Sequence, residues 1–351
     1  MKVNAPCVVK LLGEHAVVHG KMAVAAALKL YATASFVSSD AKEGLKLELK
    51  DYNKKILVEK VMLSKLAKLY DKRTSLDEYI KKCSDIDETL LPYLTMAAIF
   101  YKKHMAMLNA TMPNGSITIS SEIPKQSGLA SSASCYIAFT MLLCKLANIN
   151  LKDMDAIELA RDGERVSHKN EGAGRIDVST AYYGGYVSFN LKNGFVKHDF
   201  RFSPKLLVIN TGPKKPTSET VGRVTKLLNE KKEYTEKILD EINECSVKGL
   251  DAIANNKIQE LGRVMYKDHE LLKKLEVSSD GLDMAVNIAK KYSAHGAKLS
   301  GGGGGGVAIA LLEEYDKKLE NELQKEGFVC IEAKISESGA KDSSDQADFV
   351  K

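Results

Sequence analysis

Pro124-Lys125-Gln126-Ser127-Gly128-Leu129-Ala130-Ser131-Ser132-Ala133-Ser134 is the stretch on which the reading of this 351-residue chain turns. An alternating segment, Ser116 to Ser120, leads into it, and a long apolar segment, Ser131 to Asn148, leads out. The order is therefore strand, turn, helix. Unpaired N–H groups at the helix start, the helix dipole and two hydroxyls together favour an anion there. Ser131 and Ser132 stand where an N-cap belongs, and they can equally bind phosphate or ligate Mg²⁺. The Walker pattern GxxxxGK[ST] is absent.

Two further loops carry glycine beside polar groups. Gly13-Glu14-His15-Ala16-Val17-Val18-His19-Gly20 follows the apolar run Cys7 to Leu12, which reads as a strand. It is either a plain turn or polar groups set at a strand end to meet a ligand. Gly301 to Gly306 are six consecutive glycines after Lys298-Leu299-Ser300. Apolar segments flank the run on both sides, which argues for backbone in close approach rather than a flexible linker.

Two carboxylates stand out. Ile157, Ala160 and Glu164 share one face of a helix that starts near Asp153. Glu164 thus extends an apolar stripe, and it either meets solvent there or needs a cation or hydrogen bonds. Asp177 lies in Gly174-Arg175-Ile176-Asp177-Val178-Ser179-Thr180, where it caps a turn or accepts a proton from a substrate hydroxyl.

Composition narrows the class. Apolar residues make up 44% and charged residues 28%, so the chain can fold around a core. The net charge is only +5 and Trp is absent, which gives no support for nucleic-acid binding. The longest uncharged stretch, Gln126 to Cys144, is too polar to span a membrane, and no signal peptide is evident. Cysteines at 7, 83, 135, 144, 245 and 330 form no zinc spacing. A reducing cytoplasmic setting is the simplest expectation.

The remaining pattern is α+β. Strands are expected at Leu45 to Leu49, Ile56 to Val61, Lys205 to Asn210, Val307 to Leu312 and Phe328 to Ile335. Helices are expected over 85–108, 153–169 and four segments between 217 and 293. A boundary near 195–205 divides the chain into domains 1–200 and 201–351. The polar end from Ser336 is expected to fray.

Taken together, these segments resemble the GHMP small-molecule kinases and, within them, the mevalonate kinase family. GEHAVVHGKMAVAAAL (13–28), PKQSGLASSAS (124–134) and KLSGGGGGG (298–306) are similar to that family's three motifs, and GRIDVSTAYYGG (174–185) to its catalytic Asp segment. The resemblance implies a first domain like ribosomal protein S5 domain 2 and a ferredoxin-like second domain. It implies ATP-dependent phosphorylation of mevalonate, with Mg²⁺, and many members are homodimers. Pro124, Ser127, Gly128, Leu129, Ala130, Ser131 and Ser132 would hold the ATP phosphates, and Gly302 and Gly303 would shape the cleft floor. Ser132 and Glu164 would hold the metal, and Asp177 would be the base. Glu14, His15 and either Thr217 or Ser218 would lie near the substrate.

Departures from the pattern sharpen the expectations. The family's Lys two residues past the first motif's Pro is Val8 here, and the lysine of that strand is Lys10. Alternation puts 8 and 10 on one face, about 6.6 Å apart, so Lys10 can deliver its ammonium to the site. Gln126 and Ala130 replace glycines, which reshapes the loop if either takes positive φ. Gly302 replaces Ala, Val307 replaces Cys, and two extra residues separate Glu164 from Asp177. Two rival readings follow: a kinase for another small alcohol or phosphomevalonate, or a nucleotide or isoprenoid sensor without turnover.

Overall fold

The computed structural model describes residues 1–40, 44–105, 113–123, 128–213 and 215–341. Up to His198 the strands are β1 (Lys2–Leu12), β2 (Ala23–Ser38), β3 (Leu45–Leu49), β4 (Lys54–Val58), β5 (Gly115–Ser121), β6 (Tyr186–Asn190) and β7 (Gly194–His198). They form one mixed sheet in the order β4-β3-β5-β2-β6-β7, with β1 paired to β2. Helices α1 (Lys60–Asp71), α2 (Leu76–Lys82), α3 (Leu91–Phe100), α4 (Ser131–Ala147), α5 (Asp153–His168) and α6 (Arg175–Tyr183) accompany it. Of these, α4 and α6 pack directly on β1 and β2.

β2 is the organising strand. Ala23–Ala26 pair with β6, Ala32–Ser38 pair with β5, and β1 runs along the other edge. Its first half is buried on both faces, so its small residues let helix and strand approach closely. The expected strand at Ile56 to Val61 stops at Val58, because extended Glu59 starts helix α1 instead.

Beyond residue 200 come β8 (Lys205–Asn210), α7 (Thr217–Glu230), α8 (Lys232–Ala254), α9 (Ile258–Lys274), α10 (Asp280–Lys291), β9 (Gly296–Ser300), β10 (Val307–Leu312), α11 (Lys317–Lys325) and β11 (Val329–Lys334). The sheet order β11-β8-β10-β9, antiparallel throughout, is the expected ferredoxin-like arrangement. Helices α9 and α10 cover it.

The segment expected to fray is held as far as Lys341. Ile335 bridges Leu28, Ser336 N–H donates to Ala27 O, and Ala340 N–H donates to Ala181 O. A Cβ on Gly184 would lie 2.5 Å from the Gly339 nitrogen, so this strap crosses the end of α6 at backbone contact.

Candidate active site

The three glycine-bearing loops meet where the two sheets abut. Val8 N–H donates to Leu129 O, which fixes the β5–α4 loop on β1. Gly128 lies beside Ser300 O and Val307, at the ends of β9 and β10. The Ser300 hydroxyl accepts from Lys10 N–H and donates to Lys10 O, both at 3.0 Å, locking β1 to β9. His15 Nε2 donates to Gly302 O at 3.0 Å, and that carbonyl assigns the proton to Nε2.

The glycine run is structural in each part. Gly301 and Gly303–Gly306 all take positive φ. Gly304 N–H donates to Val277 O, and Thr211 N–H to Gly306 O. A Cβ on Gly303 would lie 2.0 Å from Val277 O, and one on Gly302 would lie 2.9 Å from Thr217 Oγ1. Thr217 thus flanks the glycine run, at an exposed position that opens α7. Ser218 is exposed beside it.

At the centre Lys10 Nζ donates to Asp177 Oδ1 at 2.6 Å and Oδ2 at 2.9 Å. The Lys10 and Asp177 side chains keep 22% and 18% of their surface, so the pair is open to a ligand. Burial alone would lower the Lys10 pKa. The charge and hydrogen bonds of Asp177 outweigh it, with Glu14 and Glu164 adding to the field, and the pKa is raised. Asp177 sits in the first turn of α6, where the helix dipole favours a carboxylate.

Glu164 is 4% exposed, so the periodicity argument resolves toward burial. Its Oε1 has no hydrogen-bond partner among the described residues, while Oε2 lies 3.4 Å from His168 Nε2. A buried carboxylate oxygen left open in this way suits a cation. Glu164 acts electrostatically on Cys135 and Tyr136, three and four residues beyond Ser132 along α4. Gly174 explains how the longer Glu164–Asp177 connection still closes. It takes φ +76, and a Cβ there would lie 2.7 Å from Glu164 Cγ.

The helix start differs from expectation. The N-cap of α4 is Ala130, in the left-handed region at φ 52, and neither Ser131 nor Ser132 caps. Ala130 has no side-chain acceptor, so it caps none of the first-turn N–H groups. Ser131 Oγ lies 3.3 Å from Ser121 Oγ. Pro124 and Ser127, with Lys125 and Gln126, lie outside the described residues.

Glu14 is nearly buried, and its Oε1 receives a hydrogen bond from Lys298 Nζ at 2.5 Å. Lys298 also lies 3.4 Å from Asp268. Neither Lys298 nor Asp268 was singled out from the sequence. The signal for Asp268 is the one that exposed Glu164: Leu261, Met265, Asp268 and Leu272 share the apolar face of α9.

Comparison with known proteins identifies the family. Residues 93–185 match the family model for the GHMP kinases N terminal domain, and residues 250–329 match that for the GHMP kinases C terminal. The chain is 33% identical to the mevalonate kinase of Methanocaldococcus jannaschii, over 93% of this chain and 96% of that one. It is 30% identical to the mevalonate kinase of Pyrococcus furiosus, over 97% and 98%. The crystal structure of the Methanococcus jannaschii mevalonate kinase superposes with a TM-score of 0.78 at 29% identity, covering 96% of this chain and 98% of that one.

Proposed function

The chain belongs to the mevalonate kinase family of the GHMP kinases, and from that premise we propose that it transfers the terminal phosphoryl group of ATP to the 5-hydroxyl of mevalonate. The observation that carries the reading is the Lys10–Asp177 pair beside a buried carboxylate with an open oxygen. Asp177 receives the proton of the substrate alcohol. Lys10, kept as an ammonium, orients that carboxylate and neutralises charge on the incoming phosphoryl oxygens. In this role Lys10 replaces the lysine absent at Val8.

ATP phosphates lie along Gly128–Ser132 in this reading. The N–H groups at the start of α4 and its dipole receive them. The Ser132 hydroxyl and Glu164 suit Mg²⁺, an oxygen-seeking ion that supplies charge neutralisation when bound. The fit rests on the unpartnered Glu164 oxygen. His15 and Thr217 line the cleft floor for the alcohol substrate, and Glu14 supports the loop beneath them.

The two-domain division at 200/201 is part of the proposal. The break between one sheet ending at His198 and another starting at Lys205 supports it. So are cytoplasmic residence, in keeping with six free thiols, and a homodimeric state. The deciding experiment is Mg²⁺-dependent ADP release with mevalonate against phosphomevalonate, galactose and related alcohols. Turnover restricted to mevalonate is expected. Preference for another alcohol replaces the substrate, and ATP binding without any ADP release ends the kinase reading.

A further inference from the structure

Three ionisable side chains lie buried beside the site. Lys298 and Asp268 have no exposed surface, and Glu14 keeps 3%. The Lys298 ammonium donates to Glu14 Oε1 at 2.5 Å and to Leu299 O at 2.6 Å, and it lies 3.4 Å from Asp268 Oδ2. Asp268 also faces the Gly13 amide. Glu14 belongs to the first sheet's loop, whereas Lys298 and Asp268 belong to β9 and α9 of the second unit. The cluster therefore joins the two halves of the molecule.

The loop it grips is strained. Gly13 takes φ +90, and a Cβ there would lie 2.3 Å from Met22 O. His15 takes φ 60, a region that costs free energy for a residue with a side chain. Such a conformation persists only where the surroundings over-determine it. Two restraints do so: the Glu14–Lys298 bridge on one side of His15 and the His15–Gly302 hydrogen bond on the other. Gly302 in turn meets Thr217. Release of the first restraint would let His15 leave the floor of the substrate cleft. The ATP loop, fixed separately by Val8 and Leu129, would stay.

We propose that Lys298 and Asp268 are positioning residues for the alcohol substrate, acting through Glu14 to hold His15 against Gly302. The inference rests on the mevalonate reading of the site for its kinetic consequence, and on the geometry alone for its structural one. A surface ion pair has little such leverage. A buried one does, because removing one partner strands the other.

The test uses the full chain and the variants Lys298→Met, Glu14→Gln and the two combined. Kinetics give KM for mevalonate, KM for ATP and kcat, and proton NMR follows the titration of His15. Burial, assisted by Lys298, holds the His15 imidazole below its usual range. In Lys298→Met the mevalonate KM is expected to rise at least tenfold while the ATP KM stays within twofold. The His15 titration should move up toward an ordinary histidine. Should Lys298→Met fail to fold, the double variant removes both charges of the Glu14–Lys298 bridge and leaves only Asp268, whose burial favours its neutral form, and it should show the same KM split. Asp268→Asn should keep more activity than Asp268→Leu, because the amide still fills the space beside Lys298 and Gly13. Wild-type-like mevalonate KM and His15 titration in a folded Lys298→Met would overturn the proposal, as would equal losses toward both substrates. If the wild-type chain turns over no mevalonate, the functional reading fails, and the His15 titration alone decides the positioning role.

Discussion

At the scale of single residues, the chemistry is concentrated in a lysine displaced by one pleat. Lys10 lies two positions beyond Val8 on β1, and Val8 is itself buried. The ammonium nonetheless contacts both Asp177 oxygens. Two substitutions separate the roles. Asp177→Asn should fold normally and lose about 10²–10⁴-fold in kcat, the loss typical of a missing general base. Lys10→Met should lose about 10²–10³-fold, as when one charge-stabilising donor is removed. Steady-state ADP release measures both, and an unchanged rate in either removes that residue from the mechanism. The raised Lys10 pKa also has a sign: Lys10 loses its charge at higher pH than an ordinary lysine, so no loss of rate on going from neutral to mildly alkaline pH should trace to it. Ala130 offers a stability test. Its left-handed backbone disfavours a Cβ, so Ala130→Gly should gain roughly 1 kcal/mol in urea unfolding.

At the scale of elements, the sequence was most legible where one face differs from the other. The stripe on α5 exposed Glu164, and the strand–turn–helix order around Ser131 pointed to the loop proposed to hold the phosphates. β2 was not legible, because Ala23–Leu28 are buried on both faces and alternation vanishes. β9 was hidden by a lysine in a wholly buried strand. The Glu14–Lys298 partnership spans 284 residues and leaves no local trace. The α4 cap was misread as Ser131 or Ser132 because serine is favoured there, while the close turn onto β1 puts Ala130 at the cap instead. The Asn170–Gly174 connection shows how an element's end serves the site. Gly174→Ala puts a methyl group against the Glu164 stem and a side chain at φ +76. It should cost about 2 kcal/mol in stability and raise the Mg²⁺ concentration for half-maximal rate by about tenfold. A Mg²⁺ titration of ADP release at saturating ATP checks this, and an unaltered midpoint argues against Glu164 as a metal ligand.

At the scale of the whole molecule, the two sheets are joined through polar contacts rather than apolar burial alone. Lys10 meets Ser300, His15 meets Gly302, and Glu14 meets Lys298. That choice makes the junction sensitive to pH through Asp268. Burial raises its carboxyl from 3.8 to about 7, with Lys298 opposing and Glu14 reinforcing the shift. The Cys245 thiol on α8, pushed up to about 11 chiefly by burial, faces the same carboxyl and stays neutral. Neighbouring His269 is held down to about 4 by burial, so it is uncharged over the upper part of the relevant range. Between roughly pH 4 and 7 the folded chain holds a proton on Asp268 that the unfolded chain has released. Stability from this group is therefore lost as pH rises through that window, and the loss is complete above it. Asp268→Asn removes the titration. The Tm of the variant minus that of the wild-type chain should grow from about pH 4 to 7 and then level off. Thermal unfolding of both proteins at matched ionic strength measures that difference, since effects common to both cancel. A difference constant across the range would show that Asp268 holds no such proton, and the junction between the sheets would then be indifferent to pH through this residue.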